Sequence, residues 1–506
     1  MEEQQRKTPQ EIIKNKGNVI KTRDDRELIL IDFNGEVVNP EKCSWTPNDG
    51  ETVNNSVFRS RIEPWLTSLF QSEHLSLLCG SGITNAISIL SGAGSGTTMG
   101  GTTFSNYKNE IDAAVKSSAK TSGREEGNIE DQIRTANDLL RGLKILGKID
   151  MANTLENELN SIISEFANSI LKSENRIASA EESKRENAYC ILINFLLSFA
   201  SRTGNKERLN IFTTNYDRLI EVGAELAGIH LMDRFVGTMM PIFRSSRLQL
   251  DVHYNPPGIR GEPRYLEGVV RLTKLHGSVD WVQSGGEIRR IGLPFGADNI
   301  NPYLQAPGLY GTNAMGLMIY PNSAKDRETA EYPYVELFRD LAASICRPNG
   351  TLVTYGYGFG DEHINRVLSD MLTIPSTHLV IISYDDPIGR ILKFYSESAH
   401  KDQMSILIGE NLGDIMNLAK DYLPKSAIDR ATIRMAELLQ NRMGVASNIA
   451  NPAIPAQIEP STTNESATEG IINGVASNIA NPAIPAQIEP STTNESATEG
   501  IINSES

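Results

Sequence analysis

Two side chains in the sequence are suited to acid–base and polar chemistry, and each directly follows a short apolar run. Asn215 lies within the segment TTNYD at residues 213–217, and His276 lies within LHG at residues 275–277. An imidazole can accept a proton near pH 7, and an uncharged amide can hold a hydroxyl group or a water molecule. Taken alone, Asn215 is explained equally well as a helix cap, and a single histidine is more often a structural residue. A role for either therefore depends on what surrounds it.

Two glycine-rich segments are candidates for holding a phosphate-bearing ligand. GSGIT occupies residues 80–84, and GYGFG at residues 356–360 precedes Asp361, which can cap the following helix. Glycine lets the backbone approach a phosphate closely, and a helix N-terminus presents unpaired N–H groups and a favourable dipole. The first segment is an incomplete dinucleotide fingerprint, because Asn85 stands where GxGxxG requires its third glycine. An ordinary strand-to-helix turn explains that segment equally well.

The elements that must position these residues alternate along the chain. Short apolar runs predict strands at residues 75–80, 209–214, 269–277, 316–321, 351–358 and 378–384. Helical spacing of apolar residues predicts helices at 335–345 and 363–371. This alternation is typical of a doubly wound, mainly parallel, Rossmann-like α/β sheet. Ligands bind such sheets at the carboxyl ends of the strands, so the four segments are expected along one edge.

The chain is predicted to have three parts. Residues 1–60 form an N-terminal arm with a hairpin that turns at Asn34 and Gly35. Residues 61–440 form the α/β domain, which a charged helical insertion interrupts at about residues 100–204. Residues 441–506 form a disordered tail, in which the segment 444–473 is repeated unchanged at 474–503. Two copies are too few to stack as a solenoid, and a composition without aromatic residues favours disorder. A flexible extension is the first interpretation of the tail, and a tether for a partner is the alternative.

The composition narrows the class of protein further. The 506 residues carry a net charge of −15, and the seven glutamates from Gly444 onward leave −8 for residues 1–443. The basic stretch 244–290 holds eight Lys and Arg against five Asp and Glu, which is typical of a solvated face or a partner surface. Direct nucleic-acid binding through charge is therefore not expected.

The cysteine content and the hydropathy pattern indicate a compartment. The four cysteines form no CxxC pair, so a zinc site built on paired cysteines is not expected, and so sparse a set fits a reducing environment. They are Cys43, Cys79, Cys190 and Cys346. Neither a signal peptide nor an apolar run of membrane-spanning length is found. A cytoplasmic protein without membrane attachment is expected.

The order of the four segments resembles that of the bacterial sirtuin-like family, which binds NAD. Within that family the chain is most similar to the stand-alone proteins of antiphage defence, especially those partnered with a HerA-type ATPase. The resemblance implies that the first glycine segment binds the NAD diphosphate and the adjoining ribose through Gly80, Ser81, Gly82 and Thr84. It implies that Asn215 holds the nicotinamide ribose and a water molecule, that Asp217 serves in the same motif, and that His276 is the catalytic histidine. Gly356 and Gly358 match the loop that lines the adenosine half.

Two features of protein-deacylating sirtuins are absent from the sequence. These are the four zinc-binding cysteines and a Pro-Asp-Phe-Arg segment after the first glycine loop. The resemblance therefore favours NAD as a substrate that is hydrolysed to ADP-ribose and nicotinamide without a metal, depleting cellular NAD in abortive infection. The alternatives are ADP-ribosyl transfer and a non-catalytic module that senses NAD or ADP-ribose for a partner ATPase. The resemblance also implies a homo-oligomer and a HerA-type ATPase partner.

Overall fold

A computed structural model describes most of the first 425 residues of the chain. The described residues are 7–425 without 23–24, 46–51, 97–99, 122–126, 202–205, 255–263, 267, 310 and 320–331. Contacts divide the chain into a first unit, residues 1–439, and a second unit, residues 440–506. The predicted tail at 441–506, with its duplicated segment, lies outside the described residues. All elements given below belong to the first unit.

The regular elements are numbered in chain order. The strands are β1 (Asn18–Lys21), β2 (Ile29–Ile31), β3 (His74–Cys79), β4 (Leu209–Thr213), β5 (His230–Met232), β6 (Phe235–Val236), β7 (Ile242–Phe243), β8 (His253–Tyr254), β9 (Arg264–Tyr265), β10 (Val269–Lys274), β11 (Trp281–Ser284), β12 (Glu287–Arg290), β13 (Gly350–Tyr355), β14 (His378–Ser383) and β15 (Met404–Ile408). The helices are α1 (Pro9–Lys14), α2 (Asn55–Leu69), α3 (Ser81–Leu90), α4 (Lys108–Thr121), α5 (Ile129–Ile145), α6 (Ile149–Ala178), α7 (Glu182–Ala200), α8 (Leu219–Leu226), α9 (Tyr334–Ile345), α10 (Glu362–Leu372), α11 (Arg390–Glu397), α12 (Glu410–Gly413) and α13 (Ile415–Asn417).

A nine-stranded sheet forms the centre of the first unit. Its strand order is β2-β1-β15-β14-β13-β3-β4-β10-β5. The seven strands from β15 to β5 are parallel, whereas β1 and β2 are antiparallel at one edge. Every residue of β4, β13 and β15 is buried, as expected for strands covered on both faces. The predicted mainly parallel α/β sheet is confirmed.

Helices cover both faces of this sheet, and each face has its own hydrophobic core. One core joins the sheet to α3 and α7 through residues such as Ile83 and Leu192. The core on the other face joins the sheet to α9 and α10 through Leu341 and Leu368. Apolar side chains that repeat at helical spacing on one face of each helix supply these contacts. The sheet is therefore doubly wound, as the sequence predicts.

The direction of winding reverses beside β3. The chain passes from β3 to its neighbour β4 and then to β10, and it later fills the other side of β3 with β13, β14 and β15. The strand order therefore reverses between β3 and β13, which pair from Gly350 with His74 to Tyr355 with Cys79. Such a switch point leaves a crevice at the carboxyl ends of the two strands, which is where ligands bind in this architecture.

The predicted helical insertion is confirmed as α4 to α7. Helix α5 begins with a capping box, in which the side chain of Asn128 accepts from the Asp131 N–H at 3.0 Å and Asp131 Oδ2 accepts from the Asn128 N–H at 3.1 Å. Buried residues four apart on α6, such as Leu155 and Leu159, pack into a third core shared by α4, α5 and α6. This third core also contains residues from outside the insertion, such as Tyr216 and Val282, so the insertion packs against the α/β domain.

The structure corrects the strand assignment at two places. Residues 316–321 were predicted to be a strand, but Ala314–Gly316 form a 3₁₀ turn and Leu317 makes only an isolated bridge to Val282. The prediction is wrong for the described residues of that run, because its apolar side chains fill cores without joining the main sheet; Ile319, for example, is fully buried in the third core. The sequence analysis also missed the strands β1 and β15.

The N-terminal residues extend the main sheet at its edge. Strand β1 pairs with β15 and β2, and beyond β2 the chain turns at Asn34 and Gly35, where Gly35 has a φ of +84°. Ile31 and Val37 then face each other across an antiparallel bridge. The hairpin therefore continues the sheet that carries the glycine loops.

His378, at the start of β14, is expected to make folding depend on pH. Burial, and secondarily the charge of Lys21, lowers the pKa of His378 to about 4 from its ordinary value of 6.5. Its Nε2 lies 2.9 Å from Ser405 Oγ. Because the folded-state pKa lies below that of the unfolded chain, His378 contributes stability above pH 6.5 that is lost progressively as the pH falls toward 4. The expected loss is about 2–3 kcal/mol.

Urea unfolding of the wild type and of His378→Gln at pH 7 and pH 4.5 measures this loss. The amide retains a partner for Ser405 but does not titrate, so the free energy of unfolding should fall less in the variant. His400→Gln, at an exposed site, is the matched control. An equal fall in wild type and His378→Gln would contradict the prediction.

Candidate functional site

The loop that follows β4 holds Asn215 in one orientation. Thr213 Oγ1 donates to the Cys79 carbonyl at 2.9 Å and accepts from the Asn215 N–H at 3.1 Å. The Asn215 amide donates to the Gly80 carbonyl and to Thr84 Oγ1, both at 3.0 Å. Its two N–H groups are thereby used within the protein, and no described residue donates to Oδ1. The buried Asn215 therefore offers a fixed acceptor at the carboxyl edge of the sheet.

Asp217 secures this arrangement from behind. Its Oδ2 accepts from Thr84 Oγ1 at 2.8 Å, and its Oδ1 accepts from the Leu219 N–H at 3.1 Å, in the first turn of α8. Lys274 Nζ, at the end of β10, contacts the Asp217 carbonyl and donates to Glu221 Oε1 at 2.9 Å. Both carboxylate oxygens of Asp217 are engaged within the protein, so in this structure the residue orients Thr84 and, through it, Asn215.

His276 lies in the loop that follows β10, and a carboxylate orients its ring. Gly277 has a φ of +91°, and a Cβ at this position would lie 2.1 Å from the Met318 carbonyl oxygen, so only glycine fits after the histidine. His276 Nε2 lies 3.0 Å from Asp361 Oδ2. A carboxylate is an acceptor, so this contact places the ring proton on Nε2 and the lone pair on Nδ1. No described residue makes a hydrogen bond to Nδ1, which is free to accept a proton.

Asp361 is itself fixed, because it caps the helix α10. Its Oδ1 accepts from the N–H groups of His363 at 2.9 Å and Ile364 at 3.3 Å, which leaves Oδ2 for His276. A base oriented by a carboxylate is the arrangement that general-base catalysis uses. The sequence analysis identified Asp361 only as a cap, and the structure adds its contact with the histidine.

The two glycine loops pack directly against each other at the switch point. A Cβ on Gly80 would lie 2.4 Å from the Gly356 carbonyl oxygen, and one on Gly82 would lie 2.5 Å from Gly356 Cα. The Gly82 N–H donates to the Gly356 carbonyl at 3.1 Å, and Gly356 has a φ of +60°. These three glycines therefore allow the ends of β3 and β13 to approach each other.

Two residues of the glycine segments, Ser81 and Gly358, are exposed. Ser81 begins α3 and is exposed, and no side chain caps this helix, because Gly80 occupies the N-cap position. Gly358 is exposed as well, and a Cβ there would meet nothing within 4 Å. The positive end of the α3 dipole favours an anion such as a diphosphate. The structure thus brings the predicted residues of all four segments to one edge of the sheet.

The helical insertion reaches the same edge through Glu130. The Tyr216 hydroxyl donates to Glu130 Oε1 at 2.5 Å, and the Tyr216 ring lies with its centroid 6.4 Å from that of His276. Burial raises the pKa of Glu130, whereas His276 and the Tyr216 hydroxyl oppose that rise. Burial and the neighbouring Glu130 hold the pKa of Tyr216 well above 10, so the hydroxyl keeps its proton and donates. The sequence analysis did not identify Glu130, since no local pattern links it to residues far along the chain.

The residues at this edge could hold a nucleotide, but they offer no metal site. Among the described residues, no group of three or more His, Cys, Asp or Glu could hold a metal ion. All four cysteines are free, and burial raises the pKa of the Cys79 thiol, which keeps it protonated beneath the glycine loop. A ribose diphosphate fits the polar groups that are available: Asn215 Oδ1, His276 Nδ1 and the start of α3.

The fold and the site together define a doubly wound α/β protein with its candidate functional residues at the carboxyl ends of the strands beside its switch point. A family profile described as a SIR2-like domain matches residues 209–403. The matched region includes Asn215, Asp217, His276, Gly356 and Gly358, whereas the first glycine loop precedes it. The chain thus contains a SIR2-like domain, which is consistent with NAD binding and suggests NAD-dependent activity. No curated protein matches the chain. In the part of the chain that the structure describes, no helix is long and apolar enough to cross a membrane.

Proposed function

We propose that this protein hydrolyses NAD to nicotinamide and ADP-ribose. The observation that carries the proposal is a pair of atoms at the switch point, Asn215 Oδ1 and His276 Nδ1, that have no hydrogen-bond partner among the described residues, while the protein holds each side chain in place from behind. Asn215 Oδ1 is a hydrogen-bond acceptor that does not attack the ribose, and His276 Nδ1 is a base. The departure of nicotinamide from an anomeric carbon, with water as the nucleophile, requires both.

The reaction can be written with these residues in defined roles. Asn215 Oδ1 accepts a hydrogen bond from a ribose hydroxyl or from the attacking water. The bond between C1′ and the pyridinium nitrogen breaks, and its electron pair stays on nicotinamide, which leaves as a neutral molecule. The water oxygen forms the new bond to C1′, and His276 Nδ1 takes the proton that this oxygen loses. Asp361 stabilises the imidazolium until His276 releases the proton to solvent.

Backbone groups are proposed to hold the diphosphate. The start of α3 supplies a positive dipole end, the Ser81 backbone N–H and the exposed Ser81 hydroxyl, whereas the N–H groups of Gly80, Gly82 and Ile83 already donate to protein carbonyls. This mode of binding needs no basic surface, so a net charge of −15 does not oppose it. The absence of the four zinc-binding cysteines from the sequence supports hydrolysis over protein deacylation.

The test is an assay of the purified full-length chain with NAD, with and without the protein encoded beside it. The expected result is the release of nicotinamide and ADP-ribose in equal amounts, as measured by chromatography. Calorimetry in parallel distinguishes the alternatives. NAD that binds but stays intact would indicate a sensing module, and label that remains on a macromolecule would indicate ADP-ribosyl transfer. If NAD is neither bound nor cleaved, the proposal is rejected.

The cellular role is proposed from the sequence resemblance alone. We propose that the chain acts as a homo-oligomer with a HerA-type ATPase, and that infection triggers depletion of NAD as a form of antiphage defence. An effector that harms its own cell needs an inactive state, so the chain on its own should be weakly active. Cellular NAD that stays constant during infection, with both proteins expressed, would contradict this role.

A further inference from the structure

A carboxylate from the helical insertion lies beside the proposed catalytic histidine and has no role in the mechanism above. Glu130 stands in the first turn of α5, and its Oε1 accepts the Tyr216 hydroxyl at 2.5 Å. Tyr216 directly follows Asn215, and its ring contacts His276 on one side and Phe166 of α6 on the other, at centroid distances of 6.4 and 6.0 Å. Glu130 is thus held at the site by a residue that belongs to it.

His276 therefore has two carboxylates in its surroundings. Asp361 contacts Nε2 directly, and Glu130 binds the hydroxyl of Tyr216, whose ring contacts the imidazole. Burial raises the pKa of Glu130, and the nearby His276 opposes that rise, so a protonated His276 favours the ionised Glu130. By reciprocity, an ionised Glu130 favours the protonated imidazole. An ionised Glu130 would therefore stabilise the imidazolium that forms when His276 accepts a proton.

We propose that Glu130 is a positioning residue of the catalytic site, delivered by the helical insertion, which stabilises the protonated form of His276. This inference rests on the proposed function for its catalytic meaning. It assigns the insertion a direct part in the chemistry, because α5 must dock for His276 to have its second anion. The Tyr216 hydroxyl supplies the hydrogen bond that keeps the Glu130 carboxylate in place.

Three other ionisable groups lie near Glu130 and Tyr216, namely Asp131, Tyr334 and Asp361. Asp131, beside Glu130 on α5, lies 3.7 Å from Arg134 and is engaged in the capping box. Tyr334 of α9 and Asp361 of α10 face Tyr216 and add to the rise in its pKa. None of these groups changes in a Glu130→Gln variant, so a change in His276 titration reports Glu130 itself.

The decisive variant is Glu130→Gln, because glutamine keeps an oxygen that can accept the Tyr216 hydroxyl and removes only the charge. Glu165→Gln is the matched control, since it removes the same charge from an exposed position on the same insertion. Tyr216→Phe is a second variant, which keeps the Glu130 carboxyl but removes one of the two side-chain donors, Tyr216 and Asn128, that favour its ionised form. Circular dichroism confirms that each variant is folded.

The experiment is an NMR titration of ¹³C-labelled histidine in the full-length chain, with the His276 signal assigned by its loss in His276→Asn. The expected result is a midpoint for His276 that falls by about 1 pH unit in Glu130→Gln, falls less in Tyr216→Phe, and stays unchanged in Glu165→Gln. A midpoint in Glu130→Gln equal to that of the wild type would overturn the inference. The titration needs no NAD turnover, so it decides the role of Glu130 even if the proposed function fails.

The catalytic consequence is measured separately by the pH dependence of kcat/KM for nicotinamide release. In Glu130→Gln the acidic limb of the pH profile of kcat/KM should move to lower pH by about as much as the NMR midpoint of His276. The plateau value of kcat should fall about tenfold with little change in KM. A limb that does not move would overturn the inference. Wild-type protein that binds NAD without releasing nicotinamide would reject the proposed hydrolysis alone.

Discussion

His276→Ala will lower kcat for nicotinamide release by about 100- to 10,000-fold, because it removes the only proposed acceptor for the proton of the attacking water. NAD affinity should change little, since His276 Nδ1 is proposed to act on water or a hydroxyl group and not to carry the binding energy of the diphosphate. Single-turnover release of nicotinamide measures the chemical step, and calorimetry measures NAD binding. His400→Ala, at an exposed position, is the control for histidine removal in general.

A companion substitution tests the orientation of the ring. Asp361→Asn keeps a side-chain oxygen that can cap α10, because asparagine and aspartate cap helices about equally well. An amide N–H facing Nε2 would, however, push the ring proton onto Nδ1 and remove the lone pair that the mechanism requires. A large fall in kcat with a nearly unchanged unfolding midpoint is therefore expected. Wild-type rates in both His276→Ala and Asp361→Asn would reject the assignment of the base.

Arg218→Met will destabilise the protein by about 3–5 kcal/mol, because it leaves the carboxylate of Glu174 buried without an opposite charge. Glu174 lies on α6 of the insertion, and its Oε1 accepts the Arg218 backbone N–H at 2.8 Å and Arg218 Nε at 3.2 Å. Both side chains are nearly inaccessible, at 2% and 8% exposure. Arg218 also donates to the Pro294 carbonyl at 3.1 Å, so its loss leaves more than one acceptor unpaired.

The pH dependence and a double variant make this prediction specific. Burial raises the pKa of Glu174, with Arg218 opposing the rise, so the arginine-free protein should recover part of its stability as the pH falls and Glu174 takes up a proton. Arg218→Met combined with Glu174→Leu should recover most of the loss at neutral pH, since no uncompensated charge is left. Urea unfolding measures these differences.

Arg59→Met is the control, since Arg59 is exposed, Glu63 is half-buried, and such a pair near the surface contributes at most about 1 kcal/mol. Equal losses in Arg59→Met and Arg218→Met would contradict the prediction.

The sequence predicted the parts of the fold that depend on local pattern. Apolar runs between helical stretches gave β3, β4, β10, β13 and β14 close to their observed bounds, and the rule that ligands bind at carboxyl strand ends brought Asn215 and His276 to one edge. Strand β1 was missed, since it ends in Lys21, a charged residue that the fold nevertheless buries and satisfies through the Met404 carbonyl at 3.1 Å. Such pairing leaves no trace in a local pattern.

The supporting groups of the site were missed for the same physical reason. Asp361 stands 85 positions from His276, and Glu130 stands 86 positions from Tyr216, so only the folded topology brings each pair together. Asp361 has a local signature, but that signature indicates a helix cap and is silent about a second contact. The capping box around Asn128 likewise marks where α5 begins and not what its first turn faces. The sequence alone could therefore predict the proposed base but not its carboxylate neighbours.

The position of β3 has a consequence for any attempt to isolate the SIR2-like segment. Residues 209–403 contain β4 and β13, but β3, which lies between them and bonds to both, is encoded more than a hundred residues earlier, on the far side of the insertion. Strand β15, which follows the segment, completes the other side of the sheet. A fragment cut at the boundaries of the match would have two half-sheets with a missing centre. The segment that matches the family profile is thus not a unit of folding, and the smallest autonomous piece must span the insertion.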